Sequence, residues 1–208
     1  MNNSLTSRER RTLSRLTTPL KVQSFLDELR YNPQEGWFRC PLQVLRDRKG
    51  HCFEGAVFAA AVMEKLGYPP LIVNMFPEPG TDDEHLVAVF RRRGTWGAVG
   101  KSNYVGLRYR EPIYRNLREL VMSYFEQYYN VKKQKTLRFY TRALDLRTFE
   151  RHQWRTSNET MNRIDRRLDA LKRIPVLNRS QIRALSLVDE RSYRAGLSGS
   201  NPEGLFAP

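Results

Sequence analysis

RDRKGHCFEGAVFAAAVMEKLGYPPLIV, residues 46–73, is the stretch on which the fold turns. A glycine stands two places ahead of a thiol, Cys52, and small and apolar residues follow at helical intervals: Phe53, Val57, Ala60, Ala61 and Leu66. Gly67 ends that helix, and the apolar run after Pro70 opens a strand. A cysteine in the first turn of a helix meets unpaired backbone N–H groups and the positive end of the helix dipole, which favour thiolate over thiol. The bland account is a buried, inert cysteine, and the helix signal alone does not decide between the two.

A partner histidine changes the balance. Of the three histidines, His51 adjoins the thiol, His152 lies far downstream in a basic segment, and His85 opens the apolar run LVAVF, which reads as a strand. LIVNMF is a neighbouring strand, joined to it by the turn-like PEPGTDD. In RRRGTWGAVGKSN, Gly94 suits a hairpin turn and Trp96 to Val99 a return strand. A helix-start cysteine followed by a histidine on a β-hairpin is the arrangement a thiolate–imidazolium pair requires.

The segment from about Pro41 to Asn103 resembles the transglutaminase-like branch of the papain-like thiol enzymes. The residues that carry the likeness are Gly50, Cys52, Glu54, Leu66, Gly67, Pro69 and His85, with PLQVLRDRKGHC leading into the thiol. The resemblance covers roughly a third of the chain. It implies an α+β core in which a helix bearing Cys52 packs on an antiparallel sheet bearing His85. It also implies Cys52 as nucleophile, His85 as general base, and a third polar residue, usually Asp, on the strand after the histidine. No carboxylate occurs from Gly97 to Asn103, so Asn103 is the first candidate to orient the imidazole and Ser102, which shares strand parity with Trp96, the second.

The reaction expected of that set is acyl transfer: thiolate attack on an amide or ester carbonyl, a thioester acyl-enzyme, and resolution by water or an amine. Substrates of that class are peptides or small molecules carrying an amide or ester. The Cys52 N–H would meet the oxyanion, with Gln43 as a second donor. Glu54, Trp96, Lys101 and Arg108 complete the substrate-side candidates, although Glu54 most simply serves the first-turn N–H groups of its own helix. A guanidinium such as that of Arg108 can hold a substrate carboxylate bidentately, with ion pairing to nearby acids as the plainer account. Without the Asp, a catalytically degenerate binding module stays open as the alternative. No cofactor is expected, and no metal: Cys40 and Cys52 form no C-x-x-C pattern, and the acidic triplet Asp82, Asp83 and Glu84 reads as a solvated turn.

With 208 residues, 40% of them hydrophobic, the chain can bury one full core. The longest apolar stretch, AVFAAAVM, is too short to span a bilayer, so no membrane is expected and a cytoplasmic location is. The net charge of +14 raises nucleic acid as a partner. Residues 51–100, however, carry four cations (Lys65, Arg91, Arg92, Arg93) against six acids, so the basic residues lie outside the site segment. Dispersed positive charge suits solubility or an acidic partner surface equally well, and no nucleic-acid-binding motif is present.

The chain divides into three regions: a basic N-terminal tail over 1–18, a transglutaminase-like core over 19–150, and a helical extension over 151–208 packed on it. Within them, a helix is expected from Pro112 through Tyr128, a strand at Leu137 to Phe139, a helix capped by Thr156 and Glu159, and a short helix over Gln181 to Val188.

Overall fold

The computed structural model describes residues 5–33 and 37–206. Its architecture is α+β: an antiparallel sheet with helices on both faces. The N-terminal helices are α1 (Ser7–Arg15), α2 (Pro19–Asp27) and α3 (Pro41–Asp47). Short strands β1 (Arg30–Tyr31) and β2 (Lys49–Gly50) pair in parallel immediately before α4 (Cys52–Lys65).

The main sheet comprises β3 (Leu71–Pro77), β4 (His85–Arg92), β5 (Thr95–Val99), β6 (Arg110–Tyr114), β7 (Leu137–Tyr140), β8 (Leu144–Asp145) and β9 (Ile174–Pro175). Its order is β6-β5-β4-β3-β7-β9, with β8 also pairing β3. Helix α5 (Leu117–Met122) follows β6, while α6 (Glu159–Asp169), α7 (Arg179–Arg183) and α8 (Glu190–Gly196) complete the chain.

Strand alternation divides the core in two. Ile72, Ala88, Phe90 and Val99 face α4 and the N-terminal helices, whereas Val73, Met75, Val87, Val89 and Ala98 face α5 and the aromatics Tyr124, Phe125 and Tyr128. The expected aromatic stripe is thus core. The residues of α4 from Phe53 to Met63 are all buried, so the helix is enclosed on every side. Close approach explains Gly55, where a Cβ would collide with the Lys101 side chain. The β4–β5 hairpin turns through Arg93 (φ 52°) and Gly94 (φ 85°), the positive-φ pair that a two-residue loop between right-twisted strands demands.

Several expected elements differ, each for a local reason. Residues 7–15 form a helix where a tail is expected, capped by Thr6 and Glu9 and tied down by the buried Leu13 and Leu16; the first four residues of that region lie outside the described ones. Pro112 sits in β6, not at a helix start, and an edge strand tolerates its missing N–H. Asn116 caps the following helix, which is only Leu117–Met122 before a 3-10 turn at Phe125–Gln127. Asn158 is the cap residue of α6, while the Thr156 hydroxyl donates to the Gln153 carbonyl at 3.3 Å. The short helix begins at Arg179, where Asn178 and Gln181 form the capping box, and ends at Arg183.

Candidate active site

His51 precedes α4 as its N-cap: Nδ1 accepts the Phe53 N–H at 3.1 Å, and the Glu54 carboxylate accepts the His51 N–H at 2.9 Å. This cap holds Cys52 at the first helical position, facing the start of β4. The Cys52 thiol donates to the Glu84 carbonyl at 3.6 Å, immediately before His85 in the chain. The thiol is therefore seated against the main chain immediately before His85.

Cys52 and His85 line one cavity of about 540 Å³, together with Tyr31, Ser102, Asn103 and Tyr104. His85 is 4% exposed, and its Nε2 lies 2.6 Å from the Leu107 carbonyl oxygen. A carbonyl only accepts, so Nε2 carries the proton and Nδ1 keeps the lone pair. The imidazole within 4.0 Å of the sulfur is that of His51, through Nδ1, and among the described residues no side-chain hydrogen bond joins Cys52 to His85. The His51 lone pair is already committed to the helix cap, which leaves His85 as the base candidate.

Burial sets the resting electrostatics. It pushes the Cys52 thiol up to about 12, with the neighbouring acids Asp83 and Glu84 adding to the shift, and it lowers His85 to about 4, with Arg110 pressing the same way. The dipole advantage expected of a helix-start thiol is outweighed by desolvation, so both groups rest neutral. Asp82 rises to about 6, also by burial, despite the bond it accepts from the Thr136 hydroxyl at 2.7 Å. Asp82, Asp83, Glu84 and Asp165 line the cavity, and no Lys or Arg does among the described residues.

The remaining sequence candidates take other places. Asn103 lines the cavity, but its amide pairs with the main chain of Asn201: Nδ2 donates to the Asn201 carbonyl and Oδ1 accepts the Asn201 N–H, both at 2.8 Å. The Ser102 hydroxyl accepts the Tyr104 N–H at 3.0 Å. In this structure the imidazole is held by a main-chain carbonyl, a group without a side-chain signature in the sequence. Gln43 donates to Asp47 at 2.8 Å on α3 and does not reach the cavity.

Glu54 is fully buried, where it accepts from the Arg39 main chain at 2.8 Å and from Asn32 at 3.4 Å, and pairs with the Arg39 guanidinium at 3.2 Å. Its place is structural, joining the segment before α3 to α4. The Trp96 ring lies under the Arg91 guanidinium at 5.3 Å, and Lys101 donates to the Leu29 carbonyl at 2.6 Å. Arg108 is paired with Asp27 at 3.1 Å. None of these lines the cavity.

Tyr31, Tyr128 and the segment Glu203–Phe206 also line the cavity, and sequence reasoning missed all of them as site residues. Tyr128 donates to the Asp83 carbonyl at 2.7 Å, steadying the turn that delivers His85. Both cysteines are free, and no cluster of His, Cys, Asp or Glu suited to a metal ion occurs among the described residues. No helix there is long and apolar enough to cross a membrane.

No protein-family profile matches the chain, and no curated protein matches it. Among solved structures the chain is similar to Legionella pneumophila LapG. An EGTA-treated form gives a TM-score of 0.43 at 12% identity, covering 77% of this chain and 92% of that chain. A second LapG structure gives 0.42 with the same identity and coverage.

Proposed function

We propose that the cleft performs cysteine-dependent acyl transfer on an amide or ester, with Cys52 as nucleophile and His85 as base and later acid. The supporting observation is the seating of the Cys52 thiol, 3.6 Å from the Glu84 carbonyl, against the backbone that carries His85. His85 Nδ1 takes the thiol proton as sulfur attacks the carbonyl carbon, and Nε2–H stays on the Leu107 carbonyl. The tetrahedral oxyanion is met by the Cys52 N–H at the start of α4. Collapse expels the amine or alcohol, which leaves with the proton from Nδ1, and a thioester remains on Cys52. Water or an amine then attacks the thioester, gives its proton to Nδ1, and the thiol is restored.

Because both groups rest neutral, the nucleophile arises by proton transfer within the bound complex and not from a standing thiolate. The test is intact-mass detection of a covalent acyl adduct with a peptide p-nitrophenyl ester. The adduct is expected on the native chain and absent from Cys52→Ala with its melting temperature unchanged; turnover by that variant would refute the assignment.

The raised thiol also favours a second reading, a degenerate module that binds without reacting. A Cys52 that alkylates only near its raised pKa, with ester present or absent, would select that reading.

A further inference from the structure

Two amide hydrogen bonds join Asn103 to Asn201, and both use main-chain atoms of Asn201. An asparagine side chain reproduces the donor and acceptor of a peptide group, so this pairing is the one a strand offers an extended peptide. Beyond Asn201 the chain runs on along the cleft wall. Gly204 lies so close to the Tyr31 ring that a Cβ there would overlap it, and a Cβ would also stand 3.3 Å from Asn103 Nδ2. Leu205 and Phe206 continue among the cavity residues. The segment is delivered by α8, where the Tyr129 hydroxyl donates to the Ser192 carbonyl at 3.1 Å and packs against Gly196.

We propose that Asn103 is a main-chain clamp for an extended peptide substrate with glycine against Tyr31, and that residues 201–206 occupy the clamp as an internal competitor. The inference rests on the acyl-transfer reading of the cleft and supplies its substrate class and its regulation. Main-chain pairing makes the clamp tolerant of side chains, whereas the Tyr31 ring admits no Cβ at the position of Gly204. Asn32 adds a sign that the internal segment is not the best occupant. It is 1% exposed and lines the cavity, and its Oδ1 has no partner. Such a buried acceptor awaits a donor that residues 201–206 do not bring.

The test uses the full chain with either of two substitutions that evict the segment for unrelated reasons. Gly204→Val introduces the overlap with Tyr31, and Asn201→Pro deletes the N–H that Asn103 accepts. The probe is fluorescein-labelled SNPEGLF, the sequence of residues 200–206, followed by fluorescence anisotropy. Both variants are expected to bind it at least tenfold more tightly than the native chain, and adding Asn103→Ala is expected to abolish the gain. Equal binding by all three chains, or a gain that survives Asn103→Ala, would overturn the clamp. The binding assay on Cys52→Ala backgrounds, run beside the acyl-adduct assay on the same chains with Cys52 kept, makes the two proposals separable. Peptide binding without an acyl adduct sinks acyl transfer alone, and an adduct whose rate ignores both evicting substitutions sinks the internal competitor alone.

Discussion

The cleft at the start of α4 and the groove among α1, α2 and α3 are opposites built from one chain. The groove is the larger hollow, about 890 Å³, and Arg8, Arg15, Lys21, Arg46 and Arg48 line it with only Glu9 and Glu28 as acids. Two of those cations are tied by ion pairs, Arg46 to Glu9 at 2.9 Å and Arg48 to Glu28 at 2.7 Å. The cleft, about 540 Å³, has five carboxylates, three from the 82–84 turn with Asp165 and Glu203, and neither Lys nor Arg among the described residues. A net charge of +14 therefore describes the protein's exterior and misdescribes the cleft that holds Cys52 and His85. Size misleads too, for the larger hollow has neither cysteine nor histidine among its described lining residues.

The sharpest way to break the contrast is to remove the base. His85→Gln is expected to slow acyl-enzyme formation by about three orders of magnitude, the range general base catalysis supplies. A stopped-flow burst within tenfold of native would move the chemistry elsewhere, His51 first. Next comes the joint between the two regions. Glu54→Ala leaves Arg39 without its buried carboxylate partner, and urea unfolding is expected to show a loss of about 3–5 kcal/mol. A loss under 1 kcal/mol would mean that Asp47, already paired with Arg39 at 2.9 Å, satisfies the guanidinium alone.

Acid sensitivity isolates the cleft from the groove. His85 falls from its ordinary 6.5 to about 4 in the folded chain, so the unfolded chain binds the proton first. Its contribution is complete above pH 6.5 and is lost as pH drops toward 4, by about 3 kcal/mol in all. That slope is expected to flatten in His85→Gln, and an unchanged slope would assign it to other groups.

Charge tests the contrast more gently. On the Gly204→Val chain, SNPKGLF is expected to bind about tenfold more tightly than SNPEGLF at low salt, a difference of about 1.4 kcal/mol, with the gap closing at high salt. Preference for the glutamate peptide would refute an acidic cleft. The smallest effect belongs to the groove. Arg8→Gln with Arg15→Gln is expected to move the melting temperature by no more than about 2 °C and to leave the acylation rate unaltered. A slowed acylation would connect the two regions.

Much of the scaffold is legible in the sequence because its signals are local. The helical spacing from Phe53 to Leu66, the left-handed Gly67 (φ 87°) and the turn at Gly94 each depend on residues within a few positions. The errors fall where a distant partner outvotes a local pattern. Pro112 looks like a helix start until β5 recruits it as an edge strand. The Thr6 capping box is easily passed over because the basic side chains around it mask two buried leucines.

By itself, the sequence determined where α4 begins, that Cys52 stands in its first turn, and that His85 opens a hairpin strand. Those follow from periodicity and turn chemistry, which are written in neighbouring residues. Only the tertiary structure decided how the cleft is furnished. The Leu107 carbonyl holds the imidazole from 22 residues away, and Asn103 meets Asn201 across 98. Main-chain groups look alike at every position, so no pattern announces which will arrive. Desolvation likewise belongs to packing, and it turned an expected ion pair into a neutral thiol and a neutral imidazole.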